Sequence, residues 1–332
     1  MTDIAKELKL RIKDIKKRFP TKIRAFTISS TSKAENSSYL TPIRFSKNIV
    51  VIGIVIFKSN DLDSIKKTIN DSFKYIYLDN DLKRFNNSKK NIYSFYANYF
   101  SPKKIMAYKP NDITVDSCWS WIYNRSKIKN NNIIIIGMGN IGTKLALKLY
   151  ESGKNIYVNR RDHKKGKENV EFIKKFSKRI NNFIKYQKSI KGIINKVDLI
   201  IMCANKNFIL NHDIAKRIKR NATIIDLGKN NLTSEALKIT EKNKVNSYRL
   251  DIGLSLLSFI ESSIELKKNK FYGRKKYKKY FLISGGYIGL ENDIVVDNFK
   301  DPSYVIGIAN GSGDFKIRSS ELDPNFLKKI LN

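Results

Sequence analysis

The strongest constraint in this sequence is an unbroken run of isoleucines at residues 133–136 that leads directly into Gly137-Met138-Gly139-Asn140-Ile141-Gly142. A short apolar run without polar alternation is what a parallel strand covered on both faces requires. Helical spacing follows at once: Leu145, Ala146, Leu149 and Tyr150 share a face, Gly153 marks the end, and residues 155–158 supply the next strand. A glycine pattern of this kind is weak in isolation. Here it bridges a buried-type strand and a helix, the context in which each glycine has a physical task. Gly137 permits the tight turn, Gly139 lets a pyrophosphate approach the backbone, and Gly142 lets helix and strand pack closely. The helix start, with Asn140 and Ile141, offers free N–H groups and the positive end of a dipole to phosphates. Residues 199–203 and 223–227 read as later strands, and 212–219 and 234–243 as helices. The expected class is α/β with two domains, of which the second, residues 129–253, is a Rossmann-type doubly wound parallel sheet.

The end of the second strand bears on the cofactor. NAD sites usually place an acid there for the ribose 2′-hydroxyl, whereas NADP sites place arginine for the 2′-phosphate. This chain reads Val158-Asn159-Arg160-Arg161, with Asp162 beyond the strand and behind both arginines. The expected cofactor is NADP, with NAD as the alternative. Asn159, Arg160 and Arg161 are expected at its ribose end, and Ala204 and Asn205 along the cleft edge at the end of a later strand.

The stretch from the isoleucine run through Asn159-Arg160 resembles the cofactor domain of shikimate dehydrogenases, in which an Asn-Arg pair meets the 2′-phosphate. Residues 215–253 are similar in order and spacing to the cofactor domain of D-2-hydroxyacid dehydrogenases. The resemblance spans roughly residues 131–253 and implies an NAD(P)-dependent dehydrogenase. It departs at the chemistry: where the hydroxyacid family carries its catalytic arginine this chain reads Gly228-Lys229-Asn230, and that family's catalytic histidine has no counterpart. Shikimate dehydrogenases hold a catalytic Asp in an Asn-Thr-Asp motif just before the helix entering the cofactor domain, with a catalytic Lys elsewhere. Here Asn111-Asp112-Ile113-Thr114-Val115-Asp116 occupies a similar place without matching the motif. A Lys/Asp pair can move the proton that accompanies hydride transfer, which makes Asp116 and Lys109 the catalytic candidates. The competing expectation is that these polar residues cap the following helix.

Residues 1–128 alternate strand-like and helix-like segments and read as an α/β domain on the substrate side. An amphipathic helix over 2–18 opens it, strands follow at 23–29, 49–57, 75–78 and 104–108, and a helix is expected over 61–73. A helix over 112–128 leads to the second domain. Residues 254–332 read as a return helix followed by a Gly-rich, β-containing tail.

With 332 residues, the chain exceeds the usual limit of a single core. The longest strongly apolar run, 49–57, is about half a membrane span, and the N-terminus has no apolar signal core, so a cytoplasmic protein is expected. Two cysteines and two histidines, Cys118, Cys203, His163 and His212, show no metal-ligand spacing, and no metal is expected. The formal charge of +35 invites a nucleic-acid partner. It is discounted, because lysines are spread along the whole chain. Residues 266–281 nevertheless combine eight Lys/Arg, no acid and five aromatics, which leaves an anionic-polymer binder as one alternative. A Rossmann module without turnover is the other. The reading preferred from sequence is an NADP(H)-dependent oxidoreductase acting on a C=O or C=N carbon of a small metabolite, with a homodimer left open.

Overall fold

Strands and helices alternate through most of the computed structural model, which describes residues 3–30, 37–57, 59–83, 90–124, 132–176, 181–204, 209–228, 230–267 and 272–331. Two compact units are distinguished, Met1–Leu257 and Ser258–Asn332. The first opens with α1 (Asp3–Arg18), whose Ala5, Leu8, Ile12 and Ile15 fall on one face and are buried. They pack with Phe26, Ile28, Ile52 and Ile54 in a core that covers the first sheet. This sheet comprises β1 (Ile23–Ser30), β2 (Tyr39–Leu40), β3 (Arg44–Phe45), β4 (Ile49–Ile56), β5 (Tyr75–Asp79) and β6 (Ile105–Tyr108). Its order is β2-β4-β1-β5-β6, with β3 also on β4. The β1, β4, β5 and β6 pairings are parallel, while β2 and β3 run antiparallel to β4.

Between β4 and β5 the sequence predicts one helix over 61–73. The structure instead has α2 (Ser59–Asp63) and α3 (Lys66–Ser72). Ile65 stands at the break, where its N–H bonds to the Leu62 carbonyl in a tightened turn, and Leu62, Ile65 and Ile69 are all buried. Helix α4 (Ile92–Tyr96) precedes β6. Helix α5 (Pro110–Tyr123) starts on a proline, which suits a first helical position.

The second sheet of this unit comprises β7 (Asn132–Ile136), β8 (Asn155–Asn159), β9 (Ile184–Tyr186), β10 (Leu199–Met202), β11 (Thr223–Asp226) and β12 (Asn246–Arg249). All its pairings are parallel, in the order β12-β11-β10-β7-β8-β9. Strand alternation sends Ile133 and Ile135 into one core and Ile134 and Ile136 into the other, so both faces of β7 are covered. Helix α6 (Asn140–Glu151) packs on one side with α7 (His163–Lys174); α8 (His212–Ala215) and α9 (Ser234–Lys242) follow later strands. Helix α7 and strands β9 and β12 have no counterpart in the sequence reading. Their patterns are weak: β12 reads Asn-Ser-Tyr-Arg and leaves most of its side chains in water.

The two sheets of this unit are tied together by polar contacts. Arg44 of β3 donates through Nε and Nη2 to Asp251, at 3.2 and 3.1 Å. Helices α5 and α6 are joined by the ion pairs Asp112–Lys144 and Asp116–Lys148.

Helix α10 (Gly253–Lys267) begins in the first unit and ends in the second. The second unit holds β13 (Gly273–Tyr277), β14 (Tyr280–Ser284), β15 (Glu291–Val296), β16 (Val305–Asn310) and β17 (Phe315–Arg318) in sequential order, followed by α11 (Pro324–Leu331). Its core gathers Leu282, Ile294, Val296, Phe299, Val305 and Ile330. Arg274 makes a bidentate pair with buried Asp293, at 2.8 and 2.9 Å. The basic segment singled out in the sequence supplies edge strand β13, where exposed Lys275 and Lys276 discourage pairing with another chain.

Gly53 of β4 lies in register with Thr27 of β1, and a Cβ there would stand 1.9 Å from the Thr27 hydroxyl oxygen and 2.7 Å from its carbonyl oxygen. Gly53→Ala is therefore expected to destabilise the protein by about 1–3 kcal/mol, the usual range for an overpacked core. Chemical denaturation checks this; an unchanged midpoint would contradict the packing described.

Candidate functional site

The sheet order reverses at β7, with β8 and β9 on one side and β10 to β12 on the other. Ligands of open α/β sheets bind where the strand ends part in this way. A cleft of about 1140 Å³ opens there, lined by Gly137, Met138 and Gly139 after β7, by Asn159 to His163 after β8, and by Cys203 and Ala204 after β10.

The glycines explain how backbone comes to form the floor. Gly137 has φ +104°, and a Cβ on it would meet the Ala204 nitrogen at 2.6 Å. At Gly142 a Cβ would stand 2.0 Å from the Gly137 carbonyl oxygen. Gly139 differs, because nothing lies within 4 Å of where its Cβ would be. The first two make the turn and the helix packing possible, and the third leaves open space above the loop. Gly139 is also the N-cap of α6 and no side chain caps this helix, so the N–H groups of Asn140, Ile141 and Gly142 remain available. These features fit a dinucleotide pyrophosphate.

At the end of β8, Asn159 donates to the carbonyls of Gln187 and Lys188, at 2.8 and 3.3 Å, which ties β8 to the segment after β9. Arg160 reaches back over the loop and donates to the Met138 carbonyl at 2.5 Å. Arg161 is exposed at the rim. Asp162 caps α7 by accepting from the Lys165 N–H at 3.1 Å. That bond, helped by the charges of Lys165 and Arg160, holds its carboxyl below the usual range. Ala204 lines the cleft; Asn205 lies outside the described residues. Cys203 lines it too, and loss of water together with the Asp226 charge pushes its thiol to about 12. Among the described residues no group of three or more His, Cys, Asp or Glu is placed to hold a metal.

Asp116 and Lys109, the sequence candidates for proton handling, are not among the residues lining this cleft. Asp116 is engaged by Lys148 across the α5–α6 packing. Lys109 pairs with Asp112 at 3.1 Å, and that hydrogen bond raises its pKa. Partial burial pushes the Asp112 carboxyl up, but bonds and charge from Lys144 and Lys109 outweigh it, and the net shift is down.

A group that the sequence reading passed over lies at the carboxyl edge of the first sheet. Beyond β5, Lys83 bonds to Asp79 at 2.9 Å and stands 3.4 Å from Asp81, and both carboxylates are buried. Asp79 also accepts from the N–H of Asp81 at 2.9 Å, and Asp81 accepts from the N–H of Asn111 at 2.9 Å. Burial raises the Asp79 pKa despite Lys83. Burial and the Asp79 charge likewise push the Tyr108 hydroxyl above its ordinary range. Here β4 and β5 flank β1, the switch point among the parallel strands of the first sheet. The charged run Asp79-Asn80-Asp81-Leu82-Lys83 directly after an apolar strand was the available signal.

Residues 122–251 match the family model of shikimate / quinate 5-dehydrogenase. The matched stretch includes the whole second sheet, β7 to β12, and supports an NAD(P)-dependent dehydrogenase. No curated protein matches the chain in sequence. Among solved structures it is similar to dipicolinate synthase A chain from Bacillus subtilis, with 14% identity over 76% of this chain and 81% of that one and a TM-score of 0.39. L-tryptophan dehydrogenase from Nostoc punctiforme gives 14% identity, 74% and 75% coverage and a TM-score of 0.43. Shikimate 5-dehydrogenase from Thermus thermophilus, solved with NADP(H) and shikimate, gives 11%, 74% and 94%, and 0.41. Likenesses this distant add nothing to the assignment, which rests on the family match and the cleft.

The three glycines should separate by experiment. Gly139→Asp is expected to weaken NADPH binding at least about tenfold, through bulk and charge set against the phosphates, while thermal stability stays near wild type. Gly142→Ala should lower stability as well, because its Cβ has no room. Nucleotide fluorescence and thermal melts distinguish the two, and unchanged NADPH affinity in folded Gly139→Asp would remove the case for this site.

Proposed function

We propose that this chain is an NADP(H)-dependent oxidoreductase that moves a hydride to or from the carbon of a C=O or C=N bond in a small metabolite. The observation that carries the cofactor choice is the end of β8. Arg160 and Arg161 stand at the cleft where the ribose is expected, and the one acid among the described residues that line it, Asp162, is engaged as the cap of α7. A guanidinium meets a phosphate with paired, charge-assisted hydrogen bonds that a bare hydroxyl cannot match. The two arginines divide the work: Arg160, anchored on the Met138 carbonyl, closes over the loop, and exposed Arg161 reaches the phosphate from the rim.

When bound, the cofactor supplies the nicotinamide carbon that carries the hydride. The chain supplies the phosphate cradle, the orientation of the dinucleotide along the β7–β10 parting, and a proton at the substrate heteroatom. For that proton we favour Lys83, which the buried Asp79 and Asp81 hold beyond β5, over Asp116, which is taken up by Lys148; neither is among the residues lining the cleft. Lys109, whose pKa is influenced by Asp81 as well as by Asp112, stands at the rim of the same group.

NADPH consumption with a panel of 2-oxo acids, cyclic ketones and cyclic imines tests the reaction class; no turnover with any member would favour a binding module instead. The wild-type protein is expected to bind NADPH about ten- to a hundred-fold more tightly than NADH, the range of one good charged contact. Arg160→Ala and Arg161→Ala should each narrow that gap, and equal affinities in the wild type would sink the NADP reading. With a substrate in hand, Lys83→Met should lower turnover by about a hundredfold or more, typical of a lost acid-base group, with little change in NADPH affinity. Asp116→Asn should leave turnover near wild type.

A further inference from the structure

Arg160 is held at both ends. Its backbone carbonyl accepts from the Tyr186 hydroxyl of β9 at 3.1 Å, and its guanidinium donates through Nη1 to the Met138 carbonyl in the glycine turn at 2.5 Å. The seat of the tyrosine depends on Gly166 of α7, where a Cβ would stand 2.5 Å from a Tyr186 ring carbon. A further hold comes from Asn169, three residues along the same helix. A carboxamide offers lone pairs on oxygen and two hydrogens on nitrogen. Around Asn169 stand two donors, Arg160 Nη1 at 3.2 Å and the Thr143 hydroxyl at 3.1 Å, which Oδ1 accepts, and one acceptor, the Lys165 carbonyl at 3.3 Å, to which Nδ2 donates. The reverse orientation would set the amide nitrogen against the guanidinium, donor against donor.

These contacts occupy one nitrogen of Arg160. The two hydrogens of Nη1 serve Met138 and Asn169, while Nε and Nη2 have no hydrogen-bond partner among the described residues. Nε and Nη2 make up the side-on fork with which arginine meets two oxygens of a phosphate at once. A free arginine loses rotamer freedom when it takes up such a geometry. Arg160 has already lost much of it to its anchors, and it lines the cleft. Preorganisation of this kind strengthens binding without adding a contact.

We propose that Asn169 is a positioning residue for cofactor choice, holding the Arg160 guanidinium so that its Nε–Nη2 edge is free for the 2′-phosphate. The proposal rests on the NADP(H) reading above. Asn169 is not among the residues lining the cleft, so its influence on a nucleotide passes through Arg160. Through Thr143 the same carboxamide is tied to α6, whose first N–H groups face the pyrophosphate. One side chain thus sets the arginine relative to the phosphate cradle. Helix α7 itself is held by buried Val170 and Ile173 and capped by Asp162, so it keeps its place without Asn169.

The test measures dissociation constants of NADPH and NADH by nucleotide fluorescence on the full chain at pH 8, where a phosphate monoester is dianionic. Asn169→Ala is expected to reduce the preference for NADPH over NADH about threefold to tenfold, as for a charged hydrogen bond weakened at a partly exposed site. The ratio of the two constants is the readout, because a loosened fold weakens both nucleotides alike. Asn169→Leu, which refills the volume, should show the same loss and so separates the missing carboxamide from a cavity. In an Arg160→Ala background Asn169→Ala should change the preference by less than about twofold, since the group it positions is gone. An equal loss in both backgrounds would overturn the proposal, as would a single variant that leaves the ratio unchanged, and either result leaves the NADP(H) reading standing. A wild type with no preference for NADPH would overturn both.

Discussion

Much of this structure depends on how closely backbone can approach backbone at the parting of β7 and β10. The Gly137 turn lies against Ala204, and Gly142 brings α6 down onto the Gly137 carbonyl, at separations that leave no room for a Cβ. Close approach there sets the direction of α6, and with it the orientation of the first-turn N–H groups toward the cleft. The same helix carries Lys144 and Lys148 to Asp112 and Asp116 of α5. A side chain in the turn would thus disturb the cofactor floor and the α5–α6 packing together.

Charge in the first unit is largely committed to holding elements in place. Asp162 starts α7, Asp226 accepts from the N–H groups of Gly228 and Asn231 and from the Asn231 side chain, and Asp251 receives Arg44. Among the described residues that line the cleft the one acid, Asp162, is occupied in this way, beside Arg160, Arg161 and Lys188. A dianionic group on a ligand would meet these cations there, which is the basis of the NADP(H) reading proposed above.

The parts of the fold that were legible in the sequence are those in which side chains alone state the burial. The isoleucine run of β7, the helical spacing of α1 and α6 and the glycine turn each have one physical solution. Helix α7 was missed because its face is built from Gly166, Val170 and Ile173 among lysines, and β9 and β12 because short strands at or near a sheet edge need few apolar residues. The candidate site was legible where it is local in sequence, at the glycines and at Arg160 and Arg161. It was not legible where it is assembled from distant segments. That holds for the contact of Tyr186 on β9 with His163 on α7, whereas Lys83, Asp79 and Asp81 share one five-residue run and were passed over because only the burial of the two carboxylates sets them apart. Asp116 drew attention by its position ahead of the glycine turn, yet a helix face opposite two lysines gives it a partner that sequence could not reveal.

Cys203 has one more consequence. It lies on the floor of the cofactor cleft with its thiol held at about 12. Only the thiolate attacks electrophiles or peroxides, and a thiol pushed up in this way stays protonated at neutral pH. Cys118, buried behind it, is pushed up as well. Sulfur is thus present at the cofactor site as packing material, and the cleft should keep its shape under oxidative conditions that would modify an ordinary surface cysteine.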